Sequence, residues 1–234
     1  AAVITEPVML NTGCILPEPG YLELLRKLTH ASGSLLIFDE VITGFRLARG
    51  GAQELFGITP DLTTMAKGLG GGFPVAAIGG KREVMELVAD GRYSHSGTYN
   101  SNAIAAAAVA ATMDELSDPA VYGRIRALGS RLREGIDVIA GELGIPAHTV
   151  GVGPVLQTWF TDREIRNYRE AERFARPDRF TAFWRNMFRR GVLFHPGQFE
   201  NLFVSTAHSE EDVERTLSAA ADSMRAAREE LSGG

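Results

Sequence analysis

The chain of 234 residues is 44% hydrophobic, enough apolar material for a packed core, and its length falls between one large domain and two small ones. A formal net charge of -5 removes any electrostatic reason to approach nucleic acid or an anionic membrane surface. Cys14 is the single cysteine of the sequence, which excludes an intrachain disulfide and points to a reducing compartment, hence the cytoplasm.

Ala1 to Val8 carries no basic start and no cleavage pattern, so it reads as a strand already under way instead of a signal peptide. With no initiator methionine before it, the expectation is that an upstream portion precedes Ala1. Pro19 opens a helix with Tyr21, Leu22, Leu24, Leu25 and Leu28 on one broad face. Leu35 to Phe38 is unbroken apolar sequence, the pattern of a parallel strand covered on both faces. Leu62 to Met65 and Val75 to Ile78 add two more strands, separated by glycines. This alternation predicts an α/β layer with a mostly parallel sheet, incomplete at its N-terminus, with ligands bound at the carboxyl ends of the strands. Glu6, Asp39 and Lys67 all fall at such ends.

Ala103 to Leu116 reads as an alanine-rich helix suited to close packing; its apolar run, Ile104 to Met113, is far too short for a membrane span. A long amphipathic helix starts at Asp118-Pro119 and repeats Ile125, Leu128, Leu132, Ile136, Ile139 and Leu143. Strands are expected at Val155 to Phe160, Val192 to His195 and Leu202 to Ser205, with a helix near Asp178 to Arg190. Ser209 and Asp212 form a capping box for a last helix, buried through Val213, Leu217, Ala220, Met224 and Leu231. The predicted division is therefore 1–118 for the α/β part and 119–234 for a connector helix and a smaller α+β domain.

Asp39 and Lys67 carry the chemistry. A carboxylate at the end of a dry strand costs several kcal/mol, on the order of what buried ion pairs require, unless it meets a cation. A protonated pyridine nitrogen meets that need, and a lysine on a neighbouring strand end can form an imine with an aldehyde, so the pair suits pyridoxal phosphate. The plain alternatives are an acid that caps a helix or pairs with Arg46, and a solvated surface lysine. Met65, Ala66 and Leu69 around Lys67, with Gly70, Gly71 and Gly72 after it, weigh against the latter. Leu35-Leu36-Ile37-Phe38-Asp39-Glu40 also fits the acidic strand of a nucleotide hydrolase, which needs a phosphate loop that this chain lacks and an upstream portion could hold. The polar stretch Ser94 to Asn102 feeds the start of the alanine-rich helix, either as a phosphate site or as an ordinary capped turn.

Taken together, Asp39-Glu40-Val41, Thr43-Gly44-Phe45-Arg46, Pro60-Asp61-Leu62, Lys67-Gly68-Leu69-Gly70-Gly71-Gly72 and Gly97-Thr98 resemble the class III aminotransferases of pyridoxal-phosphate fold type I. Asn11-Thr12-Gly13-Cys14, Pro17-Glu18-Pro19-Gly20-Tyr21-Leu22, Gly50-Gly51-Ala52-Gln53-Glu54 and Gln198-Phe199-Glu200 are most similar to the glutamate-1-semialdehyde 2,1-aminomutase branch. The resemblance implies pyridoxal phosphate as cofactor, residues 1–118 as the C-terminal part of its large domain, and amino-group transfer with a small-molecule donor and acceptor. It implies Lys67 as the imine-forming lysine and proton shuttle, Asp39 as partner of the ring nitrogen, and Val41 against the ring. It also implies that Thr98 binds the cofactor phosphate of a neighbouring subunit in a homodimer, and that Glu200 lies at the substrate end. Two departures stand out: the family's upstream phosphate-binding half is not in this chain, and Tyr99-Asn100-Ser101-Asn102-Ala103 resembles loops of transaminases for β-amino acids. The alternative to an enzyme is a non-catalytic fragment that keeps the fold without the cofactor cage.

No metal site is expected: His95, His195 and His208 lack ligand spacing and read as hydrogen-bonded histidines. Phe180, Phe183, Trp184, Met187 and Phe188 recur at helical intervals and are expected in the core.

Overall fold

The computed structural model describes residues 1–232. The chain divides into two compact units, Ala1–Val8 with Pro17–Tyr122, and Met9–Leu16 with the chain from Gly123 onward.

In the first unit, β1 (Ala2–Thr5), β2 (Leu35–Asp39), β3 (Leu62–Met65) and β4 (Ala77–Gly80) form one sheet in that order. The pairs β1·β2 and β2·β3 are parallel and β4 is antiparallel to β3, which gives the mostly parallel α/β layer anticipated from the pattern. The fourth strand starts two residues later than the apolar run Val75 to Ile78 implies. The same unit holds helices α1 (Tyr21–Ser32), α2 (Gly51–Phe56), α3 (Arg82–Ala89) and α4 (Ala103–Glu115), with α1 against β2 and α3 against β4, and a 3-10 turn (Lys67–Gly70) follows β3.

Leu22 of α1 packs on Leu36 and Phe38 of β2, joined by Leu25, Phe56 and Ile58. This contact line is narrow. Leu22, Leu25 and Thr29 face the sheet, whereas Tyr21, Leu24 and Leu28 are 44%, 51% and 55% exposed, so the broad apolar face expected for α1 is only partly used. Likewise β2 buries Leu36 and Phe38 fully but leaves Leu35 and Ile37 half-buried, so within this chain one face of the strand is fully covered and not both. In α4 no residue is fully buried. The amino end of the sheet is tied by Asp61, whose carboxylate accepts the Leu36 N–H at 2.7 Å and pairs with Arg26 at 2.9 Å and Lys81 at 2.6 Å.

The second unit is α+β. Helix α5 (Pro119–Glu142) starts in the first unit and runs into it. Strands β5 (His148–Val152), β6 (Val155–Trp159) and β7 (Leu202–Phe203) make an antiparallel sheet, packed with α6 (Tyr168–Phe174), α7 (Pro177–Arg189) and α8 (Glu210–Ser232). Leu128, Leu132 and Ile136 of α5 share a core with Leu156, Phe160, Phe180, Phe183, Met187, Val213 and Met224. Each such side chain stabilises the fold by about 1.5–3 kcal/mol through burial. The capping box forms as expected: Ser209 N–H donates to Asp212 Oδ2 at 2.9 Å and Asp212 N–H donates to Ser209 Oγ at 3.2 Å.

Three expectations for this unit are overturned. Val192 to His195 is irregular chain, not a strand, because its polar backbone is engaged elsewhere: Val192 N–H bonds Met187 O, and Phe194 O accepts the Trp184 indole N–H at 2.7 Å. Phe188 is 55% exposed, stacked flat on Trp184 at the end of α7. Leu231 is 45% exposed and does not complete the stripe of α8. Among the described residues no helix is long and apolar enough to cross a membrane.

Candidate active site

Parallel pairing sets the ends of β2 and β3 side by side, with Asp39 opposite Thr64. Asp39 Oδ1 accepts the Val41 N–H at 3.1 Å and the Thr64 hydroxyl at 3.2 Å. Its Oδ2 accepts nothing among the described residues. The residue is half-buried, so this open oxygen sits in a setting that favours a cationic donor.

Glu40, the next residue, has the opposite environment. It is 1% exposed and takes four donors: Thr43 Oγ1 at 3.0 Å and Ala52 N–H at 2.5 Å on Oε2, and Gln53 N–H and Nε2 at 3.1 Å each on Oε1. Gly51 makes this approach feasible. Its φ is +71°, and a Cβ there would strike the Glu40 carboxylate. The carboxylate thereby clamps the loop that starts at half-buried Val41 onto the start of α2. No oxygen of Glu40 is left to activate a water, which removes the residue that the hydrolase alternative needs.

Lys67 lies two residues beyond β3, at the same edge of the sheet as Asp39 and Val41, and begins the 3-10 turn. Its φ of +46° lies in the left-handed region, a strain of about 1 kcal/mol for a residue with a Cβ. The side chain is exposed and its ammonium has no partner among the described residues. Helix α4 packs on this turn, and a Cβ on Gly71 would stand 2.9 Å from Thr112 Oγ1.

Thr98 lies in the segment between α3 and α4. It is exposed, in a turn where Asn100 N–H bonds Gly97 O at 3.0 Å, and Asn102 caps α4 by accepting the amides of Ile104 and Ala105 at 3.1 Å each. The capped turn forms at Asn102 and takes up two of the amides at the start of α4. Glu200 belongs to the second unit, where it is exposed and closes a turn through its N–H to Gly197 O at 3.1 Å.

Sequence reasoning missed the parts played by Thr64, Glu40 and Gln53. The motif Gly50-Gly51-Ala52-Gln53-Glu54 held a signal for the clamp, since a glycine pair beside a buried acid marks close backbone approach. Nothing in the sequence marked Thr64, whose position depends on strand register.

The profile of the family described as Aminotransferase class-III matches residues 1–207. Glutamate-1-semialdehyde 2,1-aminomutase 2 of Brevibacillus brevis is 49% identical over 229 residues, which cover 97% of this chain and 53% of that protein. An omega-transaminase from Sphaerobacter thermophilus superposes with a TM-score of 0.90 at 34% identity, over 97% of this chain and 52% of the other. A transaminase solved with PLP bound superposes with a TM-score of 0.86 at 27% identity, over 98% and 53% respectively. The chain thus spans about half the length of the curated relatives it matches. By the extent of the family match and by its fold, the chain belongs to the class-III aminotransferases.

Proposed function

We propose that the protein containing these residues carries out pyridoxal-phosphate-dependent amino-group transfer, of the kind that moves an amino group within glutamate-1-semialdehyde or between small amino compounds. The observation that carries this reading is that, among the described residues, Asp39 Oδ2 is open and the Lys67 ammonium, at the same sheet edge, has no partner. The residues fit the cofactor: a half-buried carboxylate with one oxygen unused suits a protonated ring nitrogen, and an unpaired lysine suits an aldehyde.

When bound, pyridoxal phosphate supplies an aldehyde that captures amines and a ring that draws electrons from the carbon next to the captured nitrogen. Asp39 Oδ2 would hold the proton on the ring nitrogen through a charge-assisted hydrogen bond. Val41, half-buried beside Asp39, would bear on the ring and help to exclude water. Lys67 Nζ would hold the cofactor through its aldehyde, with loss of water, and when released by a substrate amine would serve as the base that takes the proton from the substrate carbon and returns it at a neighbouring position. Glu200 is read as a contact at the substrate end.

Thr98, exposed in this chain, is assigned to the cofactor phosphate of a second copy, in keeping with membership of the class-III aminotransferases, so the working form is read as a homodimer. We also read the protein as cytoplasmic, in keeping with the lone Cys14, whose thiol burial pushes up to about 12.

The 49% identity to an aminomutase favours migration within one substrate. The Tyr99 to Asn102 loop and the likeness to an omega-transaminase favour transfer between two molecules. Supplying the natural full-length protein with pyridoxal phosphate and glutamate-1-semialdehyde separates these. Conversion with no added amino donor is the expected result. Turnover only with a donor and acceptor pair would establish the transaminase reading, and no turnover of either kind would overturn the proposal.

A further inference from the structure

We infer that Thr64 is a positioning residue that turns the Asp39 carboxylate so that Oδ2, and not Oδ1, is presented to a cationic ring nitrogen. This rests on the role proposed for Asp39 and adds to it. Asp39 ends β2, where its carboxylate is otherwise free to rotate and offer either oxygen. Two donors remove that freedom, both on Oδ1: the Val41 N–H at 3.1 Å and the Thr64 hydroxyl at 3.2 Å.

Thr64 is well held for this task. It stands directly opposite Asp39 in the parallel ladder and opposite Ile78 in the antiparallel one, so its backbone is paired on both sides. Its carbonyl also accepts the Glu40 N–H at 3.0 Å. A threonine in a strand has a stiff χ1, so fixing the backbone fixes the hydroxyl. That hydroxyl makes no other hydrogen bond among the described residues, and its one proton goes to Asp39. The Val41 amide constrains the same oxygen through a local turn, but as backbone it can be removed only by disturbing the loop. The hydroxyl is therefore the part that substitution can isolate.

The consequence lies in where the ring proton sits. With Oδ1 occupied by two donors, Oδ2 faces the nitrogen as an oriented anion, which keeps the proton on nitrogen. Without the hydroxyl, the Val41 N–H alone holds Oδ1, and the pull of the carboxylate on that proton becomes less directed.

The test uses the natural full-length protein loaded with pyridoxal phosphate labelled with 15N in the ring, compared at one fixed pH for the parent, T64V, T64A and T64S. In T64V and T64A the ring 15N resonance is expected to move from the protonated toward the neutral position. The half-reaction with an amine is expected to slow about ten- to a hundredfold, as loss of one hydrogen bond to a charged group implies. T64S, which keeps the hydroxyl, is expected to restore both. An unchanged 15N resonance in folded T64V or T64A, even with a lowered melting temperature, would overturn the inference and leave Thr64 a structural residue. A parent protein that takes up no cofactor at Lys67 would instead overturn the reading of the site itself, and this inference with it.

Discussion

Two aspartates at opposite ends of one sheet show how differently the same side chain can be used. Asp61 precedes β3 at the amino end; it is 4% exposed, and both of its oxygens are engaged by Leu36, Arg26 and Lys81. Burial pushes the Asp61 carboxyl up, but the Leu36 N–H, Lys81 and Arg26 outweigh it and hold the group down to about 2. Asp39, at the carboxyl end, has both donors on one oxygen and, among the described residues, none on the other. Glu40, although adjacent to Asp39 in sequence, belongs with Asp61, since four donors occupy its carboxylate. Counting donors on each oxygen distinguishes a carboxylate that builds the fold from one left with bonding capacity for a ligand. Burial alone does not, and neither does position in a motif.

The contrast can be broken most severely at the carboxyl end. Lys67→Ala is expected to lower turnover of the full-length protein by about a thousandfold or more, equivalent to about 4 kcal/mol, with a melting temperature close to the parent's. Asp39→Asn is expected to keep the cofactor but lose about a hundred- to a thousandfold in turnover, measured with cofactor content in the same preparation. Normal kinetics in that variant would remove Asp39 from any electronic role. Glu40→Ala strands the buried amides of Ala52 and Gln53, so it should destabilise the protein by about 3 kcal/mol in denaturant unfolding, whereas Asp39→Ala should cost far less. A similar loss in both would erase the distinction between neighbours.

The smallest effect sharpens the amino end. Because the folded Asp61 is held at about 2, below the ordinary value near 3.8, it contributes stability that is fully present above about pH 4 and disappears as pH falls through 2. The shift corresponds to about 2 kcal/mol. Asp61→Asn should remove that part of the acid dependence in melting curves between pH 5 and pH 2, and an unaltered slope would mean that the ion pairs are not maintained in solution.

Much of this architecture was legible in the residues. An apolar run ending in an acid, and a second run leading to a lysine and glycines, mark Asp39 and Lys67 because buried strands, glycine turns and strand-end ligands leave strong patterns. The long stripes of α5 and the capping box of α8 were legible for the same reason. Thr64 was not, since Leu62-Thr63-Thr64-Met65 looks like ordinary strand sequence and only the register against β2 aims one hydroxyl at Asp39. The role of Glu40 depended on Ala52 and Gln53, brought back by the turn at Gly51. Val192 to His195 misled because an apolar run reads as a strand even when its carbonyls are taken by side chains such as Trp184. His148 to Val152 was overlooked because Thr149 and Gly151 interrupt its apolar pattern, and only its pairing with β6 makes it a strand.

The most direct test of the carboxyl end as a cofactor site is to incubate the full-length protein with pyridoxal phosphate, reduce it with borohydride, and map the added mass by peptide mass spectrometry. A single phosphopyridoxyl adduct on Lys67 is the predicted result. No adduct, or label spread over Lys27 and Lys81, would contradict it.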